Sequence, residues 1–155
     1  MEQMRSPLPL VDFLKVSDDE VELLTDCADP RVGAEKLVKL GLRCAVVTIG
    51  NQGALVSTKD GSVMVPGFPT KAVDTTGAGD SFWGGFLTRI SESGKTLDQL
   101  TFQDFQSCAR FGNAAASLCV EKRGAMNTVQ RADQLHTGKV PAVELRRHSL
   151  KLRAV

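Results

Sequence analysis

Two rhythms of apolar residues run along this chain. Short, nearly unbroken apolar runs occupy Val11-Asp12-Phe13-Leu14-Lys15-Val16 and Cys44-Ala45-Val46-Val47-Thr48-Ile49-Gly50. Such runs predict buried strands, and unbroken apolarity is what a parallel strand covered on both faces requires. Between them the rhythm lengthens. Ser17-Asp18-Asp19-Glu20 has the spacing of a capping box and predicts a helix that continues through Val21, Leu23 and Leu24. Pro30 to Gly41 reads as an amphipathic helix, with Val32, Leu37, Val38 and Leu40 apolar, Glu35, Lys36 and Lys39 polar, and Gly41 closing it.

The second half repeats the alternation. Gly50-Asn51-Gln52-Gly53 makes a tight turn into a strand over Ala54-Leu55-Val56-Ser57-Thr58. Lys59-Asp60-Gly61 is a hairpin signal, with Ser62-Val63-Met64-Val65-Pro66 returning. From Gly79 a helix carries Phe82, Trp83, Phe86, Leu87 and Ile90; Gly84-Gly85 weakens it, which predicts close packing against a neighbour. Trp83 is expected in the core. Gln103 to Val120 is the strongest helix, with Phe105, Cys108, Phe111, Ala115 and Leu118 near the helical period. The expected fold is α/β: a mixed, largely parallel sheet with one β-hairpin and helices packed upon it.

Composition narrows the class. The chain has 155 residues, 42% of them hydrophobic and 24% charged, with a formal net charge of +1, which argues against disorder and against a nucleic-acid binder. Cys27, Cys44, Cys108 and Cys119 lie far apart without a CxxC pair and are expected to be reduced thiols. No secretory signal opens the chain and no apolar run is long enough to cross a bilayer, so a cytoplasmic protein without membrane or nucleic-acid partners is expected.

The chemistry concentrates in Val73-Asp74-Thr75-Thr76-Gly77-Ala78-Gly79-Asp80-Ser81-Phe82-Trp83-Gly84-Gly85-Phe86-Leu87. Small residues at Gly77, Ala78 and Gly79 leave peptide N–H groups open to a ligand, and the helix that begins there points its unpaired amides at the same spot. That combination suits an anion, phosphate above all. Asp80 would repel phosphate unless it takes a proton from an attacking hydroxyl. A glycine-rich turn with a capping Asp is the plainer alternative.

Val73 to Phe86 closely resembles the C-terminal signature of the ribokinase-like (PfkB) family of carbohydrate kinases. The resemblance implies an anion hole at Gly77, Ala78 and Gly79, with Asp80 as catalytic base. It also implies that Thr48, Gly50 and Gly53 lie against the phosphates of ATP, in a pattern similar to the family's Thr-Leu-Gly-x-x-Gly element. Glu20 matches the Glu of the family's Asn-x-x-Glu motif and would act on Mg²⁺ through water, although Ser17 replaces the Asn and a well-capped helix also accounts for both residues. Asp74 and Thr76 match positions that help bind a monovalent cation such as K⁺; a simple turn hydrogen bond is the alternative for Asp74. Asn113 matches a residue against the adenine, where small neighbours would leave room for a flat ring, or else it makes a backbone hydrogen bond. Lys122-Arg123-Gly124-Ala125 is similar to the family's turn at the cation site, which adds Cys119, Gly124 and Thr128 as candidates; the Pro usual after that turn is missing.

The resemblance implies phosphoryl transfer from MgATP to a sugar. The Lys-Val-Ser-x-x-Glu version around Glu20 resembles fructokinase-like members and points to fructose, with ribose or a nucleoside as alternatives. Family members are considerably longer, so residues 1–131 are expected to be the nucleotide-binding half of a partial enzyme lacking its N-terminal sugar-binding half. A stand-alone nucleotide module or an inactive fragment stays open, as does a homodimer or association with the missing half. Residues 132–155 form a basic tail without resemblance.

Overall fold

Residues 7–121 and 123 are described by the structure, a computed structural model. Strand β1 (Phe13–Ser17) runs into helix α1 (Asp18–Thr25), followed by α2 (Pro30–Lys39) and β2 (Cys44–Ile49). Then come β3 (Gly53–Thr58), β4 (Gly61–Pro66), α3 (Ala78–Glu92) and α4 (Phe102–Cys119). The sheet order is β1-β2-β3-β4. The basic tail over 132–155 lies outside the described residues.

The α/β class stands, but the described sheet is less parallel than expected. β1 and β2 are parallel, with Ser17 opposite Thr48, whereas β2–β3 and β3–β4 are antiparallel. The reason is connection length. A helical crossover of two helices joins β1 to β2, while a single turn and a two-residue loop, Lys59-Asp60, join the others, and short loops reach only antiparallel neighbours.

Strand alternation divides the core into two layers. Leu14, Val16, Ala45, Val47 and Leu55 face Val21, Leu24, Ala34 and Leu37 of α1 and α2. Phe13, Cys44, Val46, Ala54, Val56 and Val65 face Phe82, Phe86, Phe105, Cys108 and Ala109 of α3 and α4. β2 is therefore apolar at every position from Cys44 to Val47 because both its faces are covered. On the second layer the Phe13 ring stands edge-on to Phe105 at 5.5 Å, and Phe86 stacks on Trp83 at 5.0 Å. These rings tie β1, α3 and α4 into one block; Trp83 is half-buried at its margin.

Helix starts follow the sequence closely. Ser17 Oγ accepts from the Glu20 amide at 3.2 Å, and the Ser17 amide donates to Glu20 Oε2 at 2.7 Å, completing the capping box of α1. Helix α2 is capped by Asp29, and its buried face is Gly33, Ala34 and Leu37. Val32 and Leu40, expected inside, are exposed. Their place is taken by glycine: a Cβ on Gly33 would stand 2.8 Å from Val21 Cγ2, so α1 and α2 approach too closely for a wider apolar stripe. The segment before Gly77 is irregular, anchored where the amides of Val73 and Asp74 donate to the Val120 carbonyl at 2.7 and 3.2 Å.

Close packing explains only one member of Gly84-Gly85. A Cβ on Gly85 would lie 3.2 Å from Ala115 Cβ and 3.3 Å from the backbone of Gly112, whereas Gly84 is exposed with nothing within 4 Å. Gly112 is tighter still, its Cβ position lying 2.8 Å from the Phe82 carbonyl oxygen. Gly84→Ala is therefore expected to stabilise the fold by about 0.5–1 kcal/mol through helix propensity. Gly112→Ala should destabilise it by about 1–3 kcal/mol through overpacking. Denaturant melts of the two variants check this, and equal effects would refute the packing account.

Candidate functional site

The head of α3 is built by a turn that leaves donors free. Gly77 adopts the left-handed region at φ +80°, a conformation that disfavours a Cβ. The Ala78 amide donates to the Thr75 carbonyl at 3.1 Å, and the Ser81 amide donates to the Gly77 carbonyl at 2.8 Å. The amides of Gly77, Gly79 and Asp80 have no acceptor among the described residues. Thus, of the three residues expected to form an anion hole, Ala78 has its amide engaged by its own turn, while the amides of Gly77 and Gly79, and that of Asp80 beside them, are left without an acceptor. Gly79 is helical rather than strained; its special feature is that a Cβ there would lie 3.1 Å from Lys15 Nζ. The Asp80 side chain is exposed and makes no hydrogen bond or ion pair with the described residues.

β1 and β2 are parallel and end side by side, and the carboxyl ends of such strands are where open α/β sheets bind ligands. Register sets Ser17 beside Thr48, and the Thr48 hydroxyl donates to the Val16 carbonyl at 3.3 Å. The Ser17 amide, donating to Glu20, holds that carboxyl below the usual carboxylate range against the opposing effect of burial, helped by the Ser17 hydroxyl and the positive charge of Lys15. Glu20 is exposed and uses one oxygen in the cap, leaving the other to face solvent or a hydrated ion. Gly50, at φ +47°, has nothing within 4 Å of a Cβ and can admit a ligand to its backbone. Gly53 differs. A Cβ there would overlap the backbone of Val65, Pro66 and Gly67, so this glycine is required by the β3–β4 contact.

Asp74, Thr76 and Cys119 are brought together where the loop meets the end of α4. Asp74 Oδ1 accepts from the Thr76 amide at 2.9 Å, and the Cys119 thiol donates to the Thr76 carbonyl at 3.7 Å. The turn hydrogen bond foreseen for Asp74 is present. Asp74 and Thr76 offer oxygens of the kind a hard cation takes; Cys119 would contribute its backbone carbonyl, its thiol being bonded to Thr76. Gly124 and Thr128 lie outside the described residues.

Asn113 is buried and its amide donates to the carbonyls of Val65 and Pro66 at 3.0 and 3.1 Å, pinning α4 to the end of β4. The small residue beside it, Gly112, is filled against Phe82 rather than left open for a flat ring. The backbone hydrogen bond foreseen as the alternative for Asn113 is therefore present. Lys15, legible in the sequence only as the first residue of the Lys-Val-Ser-x-x-Glu version, is brought by β1 to the head of α3, an approach the sequence did not signal. Asn113→Ala is expected to cost about 1–3 kcal/mol in stability by leaving buried carbonyls unpaired. A shifted urea midpoint would register it, and an unchanged midpoint would contradict the pinning role.

With this geometry in view, comparison with known proteins is specific. Residues 1–132 match the family described as "pfkB family carbohydrate kinase". A relative named probable fructokinase-5, from Arabidopsis thaliana, is 40% identical over 121 residues, covering 74% of this chain and 35% of its own length. Among solved structures, aminoimidazole riboside kinase from Salmonella enterica, complexed with aminoimidazole riboside and an ATP analog, is similar at a TM-score of 0.79 and 29% identity, over 90% of this chain and 46% of that one. A double mutant of the fructokinase of Vibrio cholerae O395, with fructose, ADP and potassium ion bound, is similar at a TM-score of 0.76 and 30% identity, over 86% of this chain and 42% of that one. The chain thus spans less than half the length of these relatives.

Proposed function

This chain belongs to the pfkB family of carbohydrate kinases, and from that premise we propose that it supplies the phosphate-handling half of an enzyme that transfers the terminal phosphoryl group of ATP to a sugar. The observation that carries the reading is the pairing, on one helical turn, of unpaired amides at Gly79 and Asp80 with an exposed Asp80 carboxylate. In phosphoryl transfer, charge spreads over the equatorial oxygens, and preorganised donors at a helix head stabilise it without reorganising. The Asp80 carboxylate then accepts the proton of the attacking hydroxyl. The backbone at Gly50 and the Thr48 hydroxyl border the phosphates.

Mg²⁺, when bound, would neutralise phosphate charge, and Glu20 is the residue that would hold it through water. Asp74 and Thr76 are the residues that would hold a monovalent cation near the helix head, which would lower the cost of gathering negative charge there. Fructose is the proposed acceptor, supported by the Lys15-Val16-Ser17 version of the motif before Glu20 and by the fructokinase relative. A nucleoside acceptor is the alternative, supported by the likeness to the aminoimidazole riboside kinase. One further reading is a nucleotide-binding module without sugar kinase activity. Calorimetry with MgATP followed by a coupled assay with fructose separates them: binding with ADP release supports the kinase, binding without it the module.

Where turnover is present, Asp80→Asn is expected to lower it by roughly 10²–10⁴ while MgATP still binds. Near-normal turnover in that variant would remove Asp80 from the role of base.

A further inference from the structure

We propose that the outer edge of β1, together with the flank of α3 that overhangs it, is a docking surface for a separately supplied segment of a pfkB-family kinase, the part that this chain does not cover, which adds a strand beside β1. The identity of that partner rests on family membership and not on the phosphoryl-transfer chemistry above.

The sheet ends in β1 on one side and β4 on the other, and the two edges differ. β4 is guarded. Arg31 Nη1 donates to the Ser62 carbonyl at 3.0 Å, the Asn113 side chain donates to the Pro66 carbonyl at 3.1 Å, and Pro66 has no N–H to offer. β1 has no such guard. The Cys44 amide donates to the Asp12 carbonyl, so the alternation of a parallel ladder turns the peptide groups of Leu14 and Val16 toward β2 and those of Phe13 and Lys15 outward. The N–H and C=O groups of Phe13 and Lys15 have no hydrogen-bond partner among the described residues. The Lys15 side chain does not cover them, since its Nζ lies 3.1 Å from where a Cβ on Gly79 would stand.

The helices repeat the asymmetry. α4 packs on β3 and β4, which leaves α3 on the β1 side of that layer. Gly85 turns toward Ala115 and Gly112 of α4. Trp83 and Leu87, each two residues away, are rotated by about 200° and point to the opposite flank, beyond β1. There Trp83 is half-buried and Leu87 is exposed. On the other layer Val21 and Thr25 turn toward Gly33 of α2, and Leu23, exposed, lies on the flank away from it. An unpaired strand edge between two apolar helix flanks takes a partner that offers an apolar strand set between helices. The relatives carry more than half their length outside the match to this chain, which is where such a segment is available. A second copy fits less well. Joined at β1, it sets its own Lys15 on the same face of a five-residue ladder, cation near cation.

Co-expression of this chain with the segment of the Vibrio cholerae fructokinase outside the match tests the proposal. A 1:1 complex is expected by size exclusion with light scattering. Amide-resolved hydrogen exchange should show Phe13 and Lys15 exchanging rapidly in the chain alone and on the order of tenfold or more slowly in the complex, a readout that needs no variant. Leu87→Asp is expected to weaken association by on the order of tenfold or more, since docking would strip water from a carboxylate. Met64→Asp, on the guarded edge, should leave association unchanged, with melts recorded for both variants. Absence of a complex, unaltered exchange at Phe13 and Lys15, equal effects of the two variants, or self-association lost in Leu87→Asp overturns the proposal. The kinase reading, tested by MgATP binding and turnover, then stands or falls separately.

Discussion

Peptide N–H groups that go unpaired at the head of α3 are the constraint around which the rest of this structure is arranged. A helix must begin with amides that no preceding carbonyl reaches, and most helices cover them with a side-chain cap. α1 and α4 do so through Ser17 with Glu20 and Thr101 with Asp104. α3 has no side-chain cap, and Gly77 stands where one would be. Leaving donors bare costs stability unless water or a ligand meets them, which is the physical basis for reading this helix head as a place where an anion binds.

Holding such a turn in place takes rigid surroundings. Its approach is fixed from α4, through the Val120 carbonyl that accepts from Val73 and Asp74 and the Cys119 thiol bonded to Thr76. α4 is in turn seated by Gly112 against Phe82, by Gly85 against Ala115, and by Asn113 on the end of β4. On the other side, the Phe13–Phe105 contact locks β1 to α4 and thereby fixes where Lys15 emerges. The glycines of this chain accordingly divide by what stands over them. Gly53, Gly85 and Gly112 are filled by neighbouring backbone or side chains, while Gly50 and Gly79 open toward solvent or a flexible ammonium.

Features written in local sequence were legible before any coordinates. The capping box at Ser17, the turn at Lys59-Asp60 and the doubly covered strand at Cys44–Ile49 each depend on neighbours a few residues away or on a simple period. The small-residue stretch ending in Asp80 was legible for the same reason. What sequence could not convey depends on partners distant along the chain. Val32 and Leu40 read as core until Gly33 brings α1 too close. Gly84 and Gly85 look alike, yet only one meets another helix. That Asn113 makes a backbone hydrogen bond was one of two readings, but its partners, the carbonyls of Val65 and Pro66, were not legible. The engagement of Ala78 by Thr75, and the meeting of Lys15 with Gly79, likewise follow from turn geometry and strand parity rather than from the motif.

The central claim concerns three backbone amides, and amide-resolved NMR observes them directly. During a titration with MgATP, the ¹H–¹⁵N resonances of Gly77, Gly79 and Asp80 should shift most, ahead of Ala78, whose N–H is already held by Thr75. Saturable binding that leaves those three resonances in place while others move would contradict the account.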